Sequence, residues 1–111
     1  VGSSGCRANV DFVLERCGIG DFFDARISGD TVTRCKPDPE IYLRAAAALG
    51  ADPADCVVFE DALAGIESAR RAGAGRIVAL ATTLTREQLL AEGDADAVVG
   101  SFAEVTDADL N

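Results

Sequence analysis

Histidine and methionine are both absent from the 111 residues. Without histidine there is no Ser-His-Asp triad, and the commonest general base is missing. The four cysteines, Cys6, Cys17, Cys35 and Cys56, include no Cys-x-x-Cys pair, which argues against a Cys/His zinc site. A disulfide framework is not expected in a chain with this much core-forming material, and Cys17 and Cys56 fall in apolar patterns as small core residues. Cationic side chains are few, 10 Lys and Arg against 19 Asp and Glu, for a net charge of −9. A nucleic-acid partner, which needs a cationic face, is therefore not expected. No apolar run approaches the roughly 18 residues that cross a bilayer, so no membrane partner is expected. There is also no basic-then-apolar N-terminal segment of the signal-peptide kind, and a cytoplasmic protein is the default expectation. The missing methionine, with Val1 as the first residue, hints at a piece of something longer.

Apolar residues make up 49% and charged residues 26%, ordinary values for a globular fold, and the length fits one domain over 1–111. Strand and helix patterns alternate. Val1 reads as the stump of a strand before the turn Gly2-Ser3-Ser4-Gly5. A helix fits Ala8 to Cys17, with Val10, Val13, Leu14 and Cys17 on one face and Gly18 as its stop. Phe22 and Phe23 are expected against the core, and Asp24 to Ser28 is a weak strand. Asp38 fits the N-cap of a helix reaching about Leu49, with Pro39 at its first position. Val57 to Phe59 is the best strand, followed by a helix carrying Leu63, Ile66 and Ala69 inward. Ile77 to Leu80 is a further strand. Thr85 and Gln88 form a capping box for a helix ending at Gly93, and Ala97 to Val99 is a last short strand. The alternation predicts an α/β fold with a parallel sheet and helices on its faces.

Three places at strand ends or helix starts could carry chemistry. The run Cys56-Val57-Val58-Phe59 stops at Glu60 and Asp61, at the carboxyl end of a strand, where open α/β sheets bind ligands. Two carboxylates there suit a hard divalent cation such as Mg²⁺; the plain alternative is Asp61 as a helix N-cap beside a solvated Glu60. Ser3 and Ser4 lie in a glycine-flanked turn and could be turn formers alone. Lys36 precedes Pro-x-Pro and could be an ordinary solvated lysine. Together, a serine hydroxyl with free backbone N–H groups, a lysine and a carboxylate pair would bind a phosphoryl group with its Mg²⁺.

Ser3, then Lys36-Pro37-Asp38-Pro39-Glu40-Ile41-Tyr42, then Phe59-Glu60-Asp61-Ala62-Leu63-Ala64-Gly65-Ile66-Glu67-Ser68-Ala69 occur in this order along the chain. In these motifs and their spacing the sequence resembles the haloacid dehalogenase (HAD) superfamily, in its β-phosphoglucomutase-like phosphatase branch, over essentially its whole length. The resemblance implies a HAD-like Rossmannoid three-layer sandwich with a mainly parallel sheet. It implies that Ser3 hydrogen-bonds the transferring phosphoryl group, with Ser4 beside it in the phosphate site. Lys36 would neutralise the phosphate and the nucleophilic carboxylate, Asp61 would bind Mg²⁺, and Glu60 would be its partner near the metal. The implied reaction forms an aspartyl-phosphate on a small phosphorylated metabolite and then hydrolyses or transfers it.

The family's first motif, Asp-x-Asp, has no counterpart; Asp21-Phe22-Phe23-Asp24 has the wrong spacing. The cap domain is missing too. The chain thus resembles the C-terminal part of such a core, lacking the first, central strand. That strand would lie between Val1 and Val57 to Phe59, so two half-sheets with exposed edges are expected, and association through those edges. These residues alone are expected to be inactive. A metal-free 2-haloacid dehalogenase is disfavoured, because Glu60 and Asp61 would repel an anionic substrate. A non-catalytic remnant serving as a binding or interaction module is the reading from another class; keeping Ser3, Lys36 and the carboxylate pair together argues against it.

Overall fold

The structure is a computed structural model and describes residues 1–111. In chain order the elements are α1 (Arg7–Arg16), α2 (Glu40–Leu49), β1 (Val57–Glu60), α3 (Leu63–Arg71), β2 (Arg76–Leu80), α4 (Arg86–Glu92), β3 (Ala97–Val99) and α5 (Asp107–Leu110). The three strands form one parallel sheet in the order β1-β2-β3. Consecutive parallel strands need a crossover, and α3 and α4 supply the two. The expected alternation of strand and helix is the observed one.

The period-2 alternation of β2 divides the core. Ile77 and Ala79 face Ile66 and Ala69 of α3 and Leu89 of α4, all essentially inaccessible. Val78 and Leu80 face the other way, with Val99, and are covered by Phe59, Ala97 and Val105. Phe102 closes this side against Phe59, with ring centres 5.2 Å apart. The central strand β2 is thus buried on both faces, as strands of parallel sheets are.

Asp96 ties β3 to β2. Its backbone N–H donates to Ile77 O at 2.8 Å, and its Oδ2 accepts the Ile77 N–H at 2.7 Å. Arg70 donates to its Oδ1 at 3.1 Å. Partial burial pushes this carboxyl's pKa up, but the Ile77 N–H and the Arg70 guanidinium outweigh it and hold the pKa below the usual Asp range. A depressed pKa in the fold stabilises it above the unfolded pKa, and the contribution disappears as pH falls through the folded value. Asp96→Asn is therefore expected to cost about 1 kcal/mol at neutral pH. The difference should shrink as pH falls through the depressed pKa of Asp96, below the usual Asp range, which thermal unfolding of both proteins across an acid pH series checks.

Several helix ends are where the sequence puts them. Gly50 takes the left-handed conformation (φ 66°) that stops α2, and Thr85 and Gln88 form the full capping box of α4. Asp38 caps one residue out of register: its Oδ1 accepts the Glu40 N–H at 3.0 Å, while Pro39 occupies the cap position. Other expectations are overturned. On α1 only Val10 and Leu14 are buried, because the packing line is one residue wide at i, i+4 spacing. Val13 lies beside that line and is 54% exposed, and Cys17 falls on the exposed turn closing the helix, so it is not a core residue. Cys56 is half-buried. Phe22 is 81% exposed, projecting from the one-turn 3₁₀ segment Gly20–Phe22, which packs mainly on α1. Phe23 reaches the apolar lining of a slot beside β1 but stays 38% exposed.

That slot is where the sheet is interrupted. Gly2 and Ile27 form a lone parallel bridge, held by Ile27 N–H to Val1 O at 2.8 Å and Ser3 N–H to Ile27 O at 2.9 Å. The weak strand at Asp24 to Ser28 is thus reduced to one paired residue. Between this bridge and the outer edge of β1 lies an apolar slot of about 480 Å³, lined by Val1, Phe23, Leu49, Val58, Phe59 and Phe102 among others. The edge of β1 facing it pairs with no strand.

Candidate functional site

Parallel strands put their carboxyl ends on one side, and the polar residues gather there. Glu60 ends β1 and Asp61 follows before α3 begins. Gly2 to Gly5 turn directly after the Gly2–Ile27 bridge, and Lys36 stands in the loop before α2, followed by a cis bond to Pro37. All five residues singled out from the sequence, Ser3, Ser4, Lys36, Glu60 and Asp61, line one open cleft of about 750 Å³.

The centre of the cleft is a three-way junction. Lys36 Nζ donates to Glu60 Oε1, to the Tyr42 hydroxyl at 3.1 Å and to the Gly2 carbonyl at 3.3 Å. Those bonds engage all three hydrogens of the ammonium. The Tyr42 hydroxyl in turn donates to the same Glu60 oxygen. Glu60 is 7% exposed and the Lys36 side chain 14%. Burial, then the Glu60 carboxylate and its hydrogen bond, push the Tyr42 phenol far above its ordinary range. It therefore stays a protonated donor throughout the neutral range.

The other residues are more loosely held. Asp61 does not cap α3: Ala62 is at the cap position with no side-chain bond, and Asp61 Oδ2 instead accepts from Thr83 Oγ1 at 2.8 Å. The Ser3 hydroxyl accepts the Gly5 N–H at 3.1 Å, so the turn-forming role is present. Accepting leaves that hydroxyl its own proton to give to an anion. Ser4 is exposed at the rim.

Three contributors were not singled out from the sequence. Tyr42 sits inside the Lys36-Pro37 motif, one turn into α2, which carries it back to the lysine. Thr83 follows β2, so the strand-end argument that found Asp61 applies to it equally. Gly65 was hidden by its small size: a Cβ there would lie 2.0 Å from Glu60 Cδ and 2.1 Å from Oε2.

A divalent cation fits this donor set in one way. No group of three or more His, Cys, Asp or Glu side chains gathers here, so the chain offers at most two carboxylates. Mg²⁺ binds through one or two carboxylates and keeps several waters, whereas Ca²⁺ takes a fuller oxygen cage. Asp61, half-buried at the cleft wall with a neutral hydroxyl as neighbour, is the better placed; the Glu60 carboxylate is already engaged by Lys36 and Tyr42.

The haloacid dehalogenase-like hydrolase family model matches residues 1–73. The chain is 45% identical to Protein CbbY of Rhodobacter capsulatus over 83 residues, covering 72% of this chain and 36% of that protein. It is 41% identical to the validoxylamine A 7'-phosphate phosphatase of Streptomyces hygroscopicus subsp. limoneus, over 93% of this chain and 46% of that one. Among solved structures, a HAD hydrolase of family IA, variant 3, from Entamoeba histolytica superposes with a TM-score of 0.87 at 32% identity, covering 97% of this chain and 49% of its own. The chain thus spans less than half the length of each of these relatives.

Proposed function

The chain belongs to the haloacid dehalogenase-like hydrolases, and on that premise we propose that it forms part of a Mg²⁺-dependent phosphoric monoester hydrolase, a phosphatase or phosphomutase, acting on a small phosphorylated metabolite. One observation carries the reading: Ser3, Lys36 and Asp61, from three separate segments, open into the same cleft at the strand ends. Ser3 would bind a phosphoryl oxygen through its free hydroxyl proton, and Ser4 would add to the rim of the site. Lys36 would hold a positive charge opposite the phosphate. Asp61 would hold Mg²⁺, with Glu60 as its neighbour, and the ion when bound would offset phosphoryl charge.

The only carboxylates in the cleft are Glu60 and Asp61, and both have these other tasks. An aspartyl-phosphate route therefore takes its nucleophilic aspartate from outside these residues, on a strand that would pair with the free edge of β1. On this reading the 111 residues alone turn over no phosphate ester, and vigorous hydrolysis of a generic ester by the purified chain would overturn it. In the protein complete with that aspartate, Asp61→Asn is expected to abolish Mg²⁺-dependent activity. A Mg²⁺ titration unchanged by that substitution would remove Asp61 as the ligand.

A further inference from the structure

Tyr42 has no part in the reaction proposed above, yet its hydroxyl is the one group that bonds both members of the buried Lys36–Glu60 pair. It gives its proton to the carboxylate and takes one from the ammonium, so neither charge can turn without breaking a bond to it. Its ring stands on α2, where neighbouring Ile41 is 1% exposed. We propose that Tyr42 is a positioning residue: it holds Glu60 turned to Lys36, and so fixes the lysine ammonium at the floor of the phosphate cleft. The inference rests on the phosphoryl-binding reading of that cleft.

The geometry gives the reason such a residue is needed. A lysine side chain has four rotatable bonds and a charge that favours water. Paired with Glu60 alone, the ammonium could follow the carboxylate away from an incoming anion. With Tyr42 and the Gly2 carbonyl as its other partners, it is held from three directions. The Gly2 contact, at 3.3 Å, is the longest and the one a phosphate oxygen can replace. Tyr42 then keeps the ammonium between Glu60 and the ligand during the exchange.

Tyr42 is the single tyrosine, and there is no tryptophan, so the chain's tyrosine emission, excited at wavelengths phenylalanine does not absorb, reports this hydroxyl alone. A phenol hydrogen-bonded to a carboxylate has its emission quenched, so Glu60→Gln should brighten the folded chain. Equal emission from the two proteins would mean that the junction does not form, and would overturn the proposal. Calorimetric titration with inorganic phosphate supplies the second arm. Tyr42→Phe, which keeps the ring, should raise the phosphate Kd about fivefold and lower the melting temperature while the chain still folds, since a bond to the buried carboxylate is lost. In the Glu60→Gln background the same change should matter by less than about twofold, because the two residues act as one unit. An equal loss in both backgrounds would make Tyr42 an independent packing residue and would sink the proposal. If the unsubstituted chain binds no phosphate, the phosphoryl reading of the cleft fails, and the emission arm still decides whether Tyr42 holds the pair.

Discussion

Alanine at position 65 is expected to destabilise the chain by about 2 kcal/mol and to disable the phosphate cleft, although it lies inside a helix where alanine is normally the better residue. Replacing an interior helical glycine by alanine ordinarily gains about 1 kcal/mol. Here the new Cβ would occupy the place of the Glu60 carboxyl group, 2.0 Å from its Cδ and 2.2 Å from Oε1. That carboxylate cannot withdraw cheaply, since Lys36 and Tyr42 hold it and it is 7% exposed. Overpacking a fixed site costs roughly 1–3 kcal/mol, and broken charge-assisted bonds add to that, so the loss exceeds the helical gain. The sign should reverse when the obstacle is removed. In a Glu60→Ala background, Gly65→Ala should stabilise by up to about 1 kcal/mol. Denaturant unfolding of the four proteins checks this; a destabilisation equal in both backgrounds would mean that some contact other than Glu60 demands glycine.

Lys36→Met is the second large effect. It leaves the nearly buried Glu60 carboxylate with a single donor, Tyr42, and breaking one half of a buried pair typically costs about 3–5 kcal/mol. The open cleft lets water reach the site, so about 3 kcal/mol is the expected loss. Adding Glu60→Gln should recover most of it, because the amide still accepts from Tyr42 and carries no charge to strand. Function should not recover with stability. In the complete enzyme both the single and the double variant are expected to lose about 10²–10³-fold in kcat, the scale of removing one electrostatic contact to a transferring group. Unfolding midpoints and kcat therefore separate the two tasks of the lysine: a double variant recovering both would show that Lys36 only neutralises Glu60.

The residues on which these effects turn were unequally legible in the sequence. Strands β1, β2 and β3 stood out because each is a short apolar run between turn signals, and in β2 burial on both faces leaves no alternation. Glu60, Asp61, Lys36 and Ser3 were visible because chemistry-bearing residues at strand ends are conspicuous. What they would touch was not visible. Local spacing suggested that Asp61 caps the following helix, but a hydroxyl 22 residues away takes its carboxylate instead. Glu60 read as a metal neighbour, yet its bonds in the fold go to Lys36 and Tyr42. Gly65 looked like any helical glycine, since the close approach that requires it comes from a side chain on another element. Phe22 and Cys17 failed for a related reason: periodicity says which residues share a face, not how wide a surface that face will meet.

The junction around Lys36 also says something about how the chain assembles. Its bonds reach 34 residues back to Gly2 and 24 forward to Glu60, while Tyr42 closes the 18-residue interval to the same carboxylate. The Gly2 bond closes a longer loop than the 19-residue spacing of the sheet pairs Val57–Arg76 and Val78–Ala97, so the complete junction is expected to follow the sheet in folding. The cleft is then a gauge of completion: a chain with its sheet formed but this junction open has no phosphate site. By mass action the converse holds as well. Phosphate at a hundred times its Kd would favour the finished state by about 2.7 kcal/mol. The ligand would select finished molecules from unfinished ones, and a rise in melting temperature with phosphate would measure how tightly recognition is coupled to the last step of assembly.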